Sequence, residues 1–164
     1  MSQVDESSGV TYYNSRPGIR AGGGVLIFNK KGDVLLVKPN YRNTWMWPGG
    51  GWDPGESPLR VAIRECKEEL GVDLGLLKPA FINYIPPRPD GSKDVIHFVY
   101  MAEPVESDFV DKLSLQESEL DEAKFVAIDE IDRYMKEYRV RAIKTYLENK
   151  IQGAMLYLED GLLV

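Results

Sequence analysis

The sequence is poor in the residues that build disulfide frameworks and zinc sites. Its 164 residues include one cysteine, Cys66, and one histidine, His97. A single cysteine excludes an internal disulfide, and one cysteine with one histidine excludes a zinc cluster of these residues. No apolar run approaches the roughly 20 residues that span a bilayer. The start, MSQVDESSGV, lacks the basic and apolar segments of a signal peptide, so we expect a cytoplasmic protein without a membrane partner.

Positive charge is also scarce. The chain has 20 Lys and Arg against 26 Asp and Glu, which gives a net charge of −6. This balance argues against a nucleic-acid polymer as the main partner, because phosphate backbones are held chiefly by Lys and Arg. A small phosphorylated ligand stays compatible with it, since a bound cation can offset the charge of the ligand. The length and a hydrophobic fraction of 43% fit one globular domain.

Hydrophobic patterning predicts strands and helices in irregular alternation. Strands are predicted over residues 24–28, 34–37, 45–48, 80–85, 94–101 and 124–128. One helix is predicted from Pro58 to Gly71, and residues 129–149 are predicted to be helical in two pieces. This order indicates an α/β fold, a sandwich around a mixed sheet and not a doubly wound parallel sheet.

The same patterns suggest how the chain is divided. Residues 1–17 are polar and contain Ser-Ser-Gly and Arg-Pro-Gly, so they are interpreted as a flexible arm. Residues 18–150 form the predicted domain. Residues 151–164 are expected to be a C-terminal tail that packs on this domain.

The helix after Ser57 has clear boundaries and one apolar side. Ser57 followed by Pro58 is typical of a helix start, and Gly71 is typical of a helix end. The apolar residues at helical spacing predict one buried stripe; they are Leu59, Ala62, Ile63, Cys66 and Leu70.

Three glutamates, Glu65, Glu68 and Glu69, lie beside this stripe. A solvated acidic face is the ordinary interpretation of such a helix, but a solvated face usually alternates charges of opposite sign. Two carboxylates ~6 Å apart repel by roughly 3 kcal/mol at an effective dielectric constant near 20. A divalent cation would convert this repulsion into attraction. Mg²⁺ prefers a few carboxylates together with phosphate oxygens, so the helix predicts a metal-dependent enzyme that acts on a phosphate compound.

A glycine-rich turn precedes the helix and completes a recognisable pattern. Gly49, Gly50 and Gly51 allow the backbone to approach a ligand closely. Gly50, five residues, Glu56, seven residues and then RECKEELGV from Arg64 match the 23-residue signature of the Nudix hydrolase family. The one mild departure is Cys66, where the family usually has a larger aliphatic residue. The chain therefore resembles this family over roughly residues 18–135.

The resemblance implies a Nudix-type α/β/α sandwich and a defined chemistry. Similar proteins use Mg²⁺ or Mn²⁺ to cleave a diphosphate bond in a nucleoside diphosphate linked to another group. By this resemblance the metal is expected on the Glu65, Glu68 and Glu69 carboxylates, with the carbonyl group of Gly49 or Gly50 as a further ligand. Arg64 is expected to hold these carboxylates, while Gly50, Glu56 and Gly71 would support the loop and the helix.

The resemblance leaves two candidates for the general base and does not identify the substrate. Members of the family differ in the base, which is here either Glu65 or an acidic residue of the 115–123 loop, among which we favour Glu119. Trp47, Tyr84 and Arg42 are the predicted substrate contacts, although aromatic residues near the signature are more often core or rim residues. His97, between Ile96 and Phe98, is predicted to be a hydrogen-bonded core residue.

Several alternatives stay open at this stage. A nucleoside triphosphate, a nucleotide sugar and ADP-ribose are all candidate substrates, and the oligomeric state, including a homodimer, is undetermined. The chain could also be a module that senses a nucleotide without cleaving it. Such modules often lose a signature glutamate, and this chain retains all three.

Overall fold

The structure is a computed structural model that describes residues 18–164. The predicted arm, residues 1–17, lies outside the described residues. The strands are β1 Arg20–Leu26, β2 Val34–Pro39, β3 Gly49–Gly51, β4 Lys78–Ile85, β5 Val95–Met101, β6 Leu120–Val126, β7 Leu156–Glu159 and β8 Leu162–Leu163. The α-helices are α1 Pro58–Leu70 and α2 Glu137–Asn149, and 3-10 turns occupy Ser107–Lys112 and Ile131–Arg133.

The strands form a mixed six-stranded sheet and a separate two-stranded sheet. The larger sheet has the order β3-β1-β5-β4-β7-β8, and β2 pairs with β6 in the smaller one. In the larger sheet β1–β5 and β4–β7 are parallel pairs, whereas β1–β3, β4–β5 and β7–β8 are antiparallel. This mixed α/β architecture confirms the predicted fold class.

Two apolar cores lie on the two sides of this sheet. One contains Ala62, Cys66 and Leu70 of α1, packed with Val25 and Tyr100 of the sheet. The other forms under α2 and includes Trp47, Phe81, Val99, Ile143 and Tyr146. The helices therefore cover opposite sides, which is the sandwich expected from the sequence.

The part of β1 that packs against α1 consists of glycines, Gly22–Gly24, and so has no side chains. A Cβ atom at Gly23 would lie 2.9 Å from the backbone nitrogen of Ala62 and from the carbonyl oxygen of Pro58. On the other face, a Cβ atom at Gly24 would lie 2.6 Å from the ring of Trp47. These glycines let helix α1 and Trp47 approach the two faces of the same strand.

Two sequence-based details are wrong. The third strand is Gly49–Gly51 and not residues 45–48; Trp45 and Met46 make only isolated bridges. Leu59 and Ile63 are exposed by 39% and 43%, so they are not part of the buried stripe. Glu69 lies on the buried side instead. The apolar pattern could not show this, because a buried carboxylate interrupts it.

The C-terminal residues are part of the sheet. Leu156–Glu159 pairs in parallel with β4, with Phe81 opposite Leu156 and Tyr84 opposite Glu159. In the turn that follows, the Asp160 N–H donates to the Tyr84 carbonyl over 2.8 Å and the Gly161 N–H donates to Asn83 Oδ1 over 3.0 Å. Across residues 18–164 we find no helix with the length and apolarity of a membrane span.

Candidate active site

Helix α1 positions three carboxylates at one end of the sheet. The Ser57 side chain accepts a hydrogen bond from the Arg60 N–H, and Gly71 ends the helix at φ +69°, in the left-handed region. Glu65, Glu68 and Glu69 follow one another around the C-terminal half of this capped helix. Gly50 makes room for Glu65, since a Cβ atom there would lie 2.4 Å from Cδ of Glu65.

Glu69 is the buried member of this set. Glu69 is 5% exposed, and its Oε2 accepts a hydrogen bond from the Gly49 N–H over 2.8 Å. Burial raises the pKa of Glu69 to about 8, the Gly49 hydrogen bond opposes this shift, and the nearby Glu65, Glu119 and Glu68 add to it. The buried Glu69 carboxyl group therefore favours its protonated form at neutral pH.

Arg64 joins the carboxylates of the loop and the helix. Its Nε and Nη2 each donate over 2.9 Å to the two carboxylate oxygens of Glu56. Its Nη1 donates to Glu65 over 2.8 Å and to Glu68 over 3.0 Å. The guanidinium also reaches the Gly51 carbonyl over 3.0 Å. This hydrogen bonding lowers the pKa of Glu56, while desolvation raises the pKa of Glu65 against the charge of Arg64.

Glu119 lies in the turn that leads into β6, close to the helix glutamates. Its charge contributes to the raised pKa values of both Glu65 and Glu69. The turn is fastened to the end of α1, because the Gln116 N–H donates to the Glu69 carbonyl over 3.0 Å. It is also fastened to β2, because the Asn40 N–H donates to the Glu119 carbonyl over 2.9 Å. The loop that was predicted to supply an acid therefore does bring Glu119 to this site.

The site fits a divalent cation by its chemistry, although it is not a finished coordination sphere. Among the described residues, no three carboxylate, imidazole or thiol groups converge in metal-binding geometry. Arg64 pairs with oxygens of Glu65 and Glu68, whereas the buried Glu69 accepts a hydrogen bond from the Gly49 N–H. A hard cation prefers such oxygen donors and retains several waters, so an open set of carboxylates is suitable.

A cavity of about 500 Å³ opens beside the glycine turn. Its wall includes the backbone of Gly49–Gly51 and six cationic residues, and none of its described lining residues is a carboxylate. The cations are Arg20, Arg42, Arg88, Lys93, Lys136 and Arg139. In a chain of net charge −6, this concentration of positive charge marks a place for an anion.

The predicted substrate residues meet this cavity unequally. Arg42 lies at its exposed rim, with its guanidinium 4.8 Å from the Tyr41 ring centroid. Trp47 lines the wall but is 2% exposed, and the Arg139 guanidinium covers its ring at 4.4 Å, so it offers no open face to a base. Tyr84 is not among the lining residues. Its neighbour Asn83 pairs with His97, which faces the cavity, whereas Tyr84 pairs with Ile96. Because successive residues of a strand point to opposite faces, Tyr84 points away from the cavity.

Two residues of the cavity were missed or misread in the sequence. Arg139 was not singled out in the sequence, and it is 6% exposed. Its spacing to Ile143 and Tyr146 places it on the apolar side of α2, which was the available signal. His97 was predicted to be hydrogen-bonded, but its Nδ1 is buried without a partner among the described residues. Burial lowers the pKa of His97 to about 3, and it is therefore neutral.

Asp160 holds one cavity cation in place from the C-terminal turn. Its carboxylate pairs with Arg88, which lines the cavity, and also with Arg141 of α2 over 2.5 Å. The Asp160 carbonyl accepts a further bond from Arg141 Nε over 3.0 Å. Asp160 has φ +49°, an uncommon value for a non-glycine residue, and these contacts hold that conformation. The turn after β7 thus positions part of the cavity wall.

A mixed sheet between two helices, with a glycine turn leading into a glutamate-bearing helix, defines the class of protein. The chain matches the NUDIX domain family over residues 18–147, and it belongs to that family.

Individual relatives agree with this assignment. A segment of 76 residues, 43% of this chain and 44% of the relative, is 37% identical to an RNA pyrophosphohydrolase of Psychrobacter cryohalolentis. The match thus spans less than half the length of that curated relative. Among solved structures, the NUDIX domain of Shewanella oneidensis NrtR in complex with ADP ribose superposes with a TM-score of 0.69 at 15% identity. That superposition covers 88% of this chain and 98% of the other. A MutT protein from Methanosarcina mazei gives a TM-score of 0.64 at 27% identity, with 84% and 99% covered.

Replacing Arg64 by lysine should weaken the site without unfolding the protein. Lysine keeps the charge but cannot make the paired contacts with Glu56 and reach Glu65 and Glu68 together. We expect metal affinity and kcat/KM to fall by about 10- to 100-fold, as for other residues that orient ligands. The matched control is Arg60→Lys on the exposed side of the same helix. Equal loss in both variants would contradict this role of Arg64.

Proposed function

We propose that this protein is a metal-dependent hydrolase that cleaves a diphosphate bond in a small phosphorylated substrate, with a nucleotide as the first candidate. The observation that carries the proposal is the adjacency of two opposite environments at one glycine turn. Carboxylates of α1 lie on one side of Gly49–Gly51, and the cationic cavity opens on the other. A metal site and a phosphate site next to each other are what diphosphate cleavage requires.

Each residue of the carboxylate side has a proposed role. Glu65, Glu68 and Glu69 would hold Mg²⁺ or Mn²⁺ together with the Gly49 carbonyl. When bound, the metal would neutralise phosphate charge and make a water more acidic. Arg64 would position the carboxylates through its contacts with Glu56, Glu65 and Glu68. Glu119 or Glu65 would accept the proton of the attacking water, and we favour Glu119 because it is exposed and shares no ion pair with Arg64.

The 5′ end of an RNA is a second candidate substrate. The RNA pyrophosphohydrolase relative supports it, as does the row of cations along the cavity, from which a polyphosphate end could be bound. The net charge of −6 still disfavours extensive contact with a nucleic-acid backbone. Recognition would therefore be confined to the terminal phosphates and the first nucleotide.

A non-catalytic sensor is the competing function. The superposition with an NrtR domain bound to ADP ribose is compatible with nucleotide binding alone. All three helix glutamates and the Arg64 contacts are present here. A protein that only binds a nucleotide would not need this set of residues. We therefore favour the hydrolase.

A substrate screen tests the proposal directly. The chain should be incubated with Mg²⁺ and a few dozen nucleoside triphosphates, nucleotide sugars, ADP-ribose and a 5′-triphosphorylated RNA oligonucleotide. The products are separated by chromatography: phosphate or diphosphate from the triphosphates, and a nucleoside monophosphate with a sugar phosphate from the nucleotide sugars and ADP-ribose. We expect turnover of at least one compound that stops when EDTA removes the metal. Binding of a nucleotide without turnover of any compound would assign the sensor function instead.

A further inference from the structure

The inner wall of the cavity contains a buried cation that the carboxylate chemistry does not use. Arg139 lines the cavity and is 6% exposed. Its guanidinium lies 4.4 Å from the Trp47 ring centroid and 5.7 Å from that of Tyr138. The guanidinium thus lies against the aromatic part of the wall at cation–π distance, so packing holds the charge in place.

This cation lacks a counter-charge within residues 18–164. No carboxylate forms an ion pair with it there, and its Nη1 is buried without a hydrogen-bond partner. Its one side-chain bond is a long contact of 3.4 Å from Nε to the Tyr138 hydroxyl. Burial and the neighbouring Arg42 both lower the pKa of Arg139. A buried unpaired charge is costly, and such groups are ordinarily satisfied by a partner.

The start of helix α2 adds a second source of positive potential at the same place. The 13-residue helix begins at Glu137, and no side chain caps its first turn among the described residues. Lys136, at the N-cap, and Tyr138, in the first turn, line the cavity beside Arg139. The first turn contains one carboxylate, Glu137, which pairs with Arg141, and the Arg139 N–H donates to the Lys136 carbonyl over 2.9 Å. The helix dipole still favours an anion at this end.

His97 completes this inner wall. Its ring lies 6.2 Å from Trp47, edge to face, and it lines the cavity with Nδ1 unpartnered. A neutral imidazole has one N–H to donate, so it can bond an anion without adding charge.

The inner wall is separated from the carboxylates by one layer of backbone. Positions Gly23 and Gly50 are paired and face α1 and Glu65, whereas Gly22 and Gly24 face His97 and Trp47. Because successive residues of a strand point to opposite sides, the two sets of groups lie on opposite faces of β1. A ligand group at Arg139 is therefore not the same group that meets the metal site.

We propose that Arg139, Lys136 and His97 form a second anion subsite, which binds a phosphate group of the substrate outside the scissile diphosphate. The inference deepens the proposed function, since it rests on the same cavity receiving the substrate. It selects substrates that carry negative charge at both ends, such as a bisphosphorylated nucleotide, over those that end in an uncharged sugar or base. A guanine base could also meet an arginine fork. The six cations in the wall favour the phosphate.

Calorimetric titration of the full chain in EDTA tests the subsite separately from catalysis. Without metal the carboxylate side repels anions, so binding of inorganic phosphate reports the cationic wall. We expect saturable phosphate binding to the wild type and about tenfold weaker binding to Arg139→Met, which is about 1.4 kcal/mol. The matched control is Arg133→Met, an exposed arginine paired with Glu130, for which we expect unchanged binding.

Two further ligands and a folding check complete the experiment. Acetate and guanosine serve as a carboxylate probe and a base probe, and we expect both to bind more weakly than phosphate. Circular dichroism checks folding; if Arg139→Met is unfolded, Lys136→Met takes its place, with about threefold weaker phosphate binding expected from the loss of one flexible charge. No phosphate binding by the wild type, equal binding by the variant, or tighter binding of guanosine would each overturn the proposal. A chain that binds phosphate in EDTA but cleaves nothing would refute the hydrolase alone.

Discussion

Replacing Glu69 by glutamine is expected to abolish hydrolysis while stabilising the metal-free protein. Glutamine keeps the shape of the side chain and can still accept the hydrogen bond from the Gly49 N–H. It removes the charge that a divalent cation needs, so we expect kcat to fall on the order of 10³-fold, as when one preorganised charge-stabilising group is removed. Turnover is measured with the best substrate of the screen at saturating Mg²⁺.

The stability effect follows from the pKa of Glu69. Because the folded protein holds this carboxyl group at a pKa of about 8, against 4.5 ordinarily, it retains a proton between these values that the unfolded chain has lost. Stability of the metal-free protein should therefore fall as pH rises through this window, by up to ~1.4 kcal/mol per pH unit. Glu69→Gln lacks this proton and should lack that slope.

Urea unfolding in EDTA at several pH values between 5.5 and 8.5 measures this difference. Glu148→Gln, an exposed substitution on α2, is the matched control and should keep both the wild-type slope and wild-type turnover. Added Mg²⁺ should stabilise the wild type most at high pH and have little effect on Glu69→Gln. Normal turnover by Glu69→Gln would remove this carboxylate from the metal site.

Of the substitutions considered, Gly49→Ala should cause the largest decrease in the free energy of unfolding. Gly49 has φ +143°, and a Cβ atom there would lie 2.3 Å from the Gly23 carbonyl oxygen and 2.5 Å from Cα of Gly24. Both contacts are with backbone, which cannot move aside as a side chain can. We expect the free energy of unfolding to drop by about 3 kcal/mol, from backbone strain and overpacking together.

Gly51→Ala is the matched control, two residues away in the same strand. A Cβ atom at Gly51 would have no neighbour within 4 Å, so this variant should unfold within about 0.5 kcal/mol of the wild type. Gly49→Ala should also weaken Mg²⁺ binding, because the Gly49 N–H that holds Glu69 would be displaced. Equal stability of the two variants would show that β3 shifts freely, contrary to its close packing on β1.

The carboxylate side of the site was predictable because its residues are adjacent in sequence. The caps at Ser57 and Gly71 and the positions of Glu65 and Glu68 follow from helical spacing, and the fold class follows from the order of elements. Burial of Glu69 was not predictable, since it depends on how closely α1 lies on a strand of glycines. That approach is a property of two distant segments.

The cationic side could not be assembled from the sequence. Its residues come from β1, the loop after β2, the loop between β4 and β5, and the start of α2. Of its six cations, only Arg42 was among the predicted contacts. Tyr84 was chosen for its type and its nearness to the signature, yet strand alternation turns it away from the cavity. The net charge of the whole chain gave no sign of this local excess of cations, because none of the described residues that line the cavity is acidic.

The parallel pairing of β7 with β4 has a consequence for the order of folding. Phe81 must find Leu156 across about half of the length of the domain, and the turn at Asp160 then fixes Arg88. Contacts of such long sequence separation form late, because the chain entropy lost in closing the loop is large. The carboxylate helix, by contrast, is local. We therefore expect the amide hydrogens of α1 to gain protection from exchange first in refolding. Those of β7 and of the turn that holds Arg88 should gain protection last.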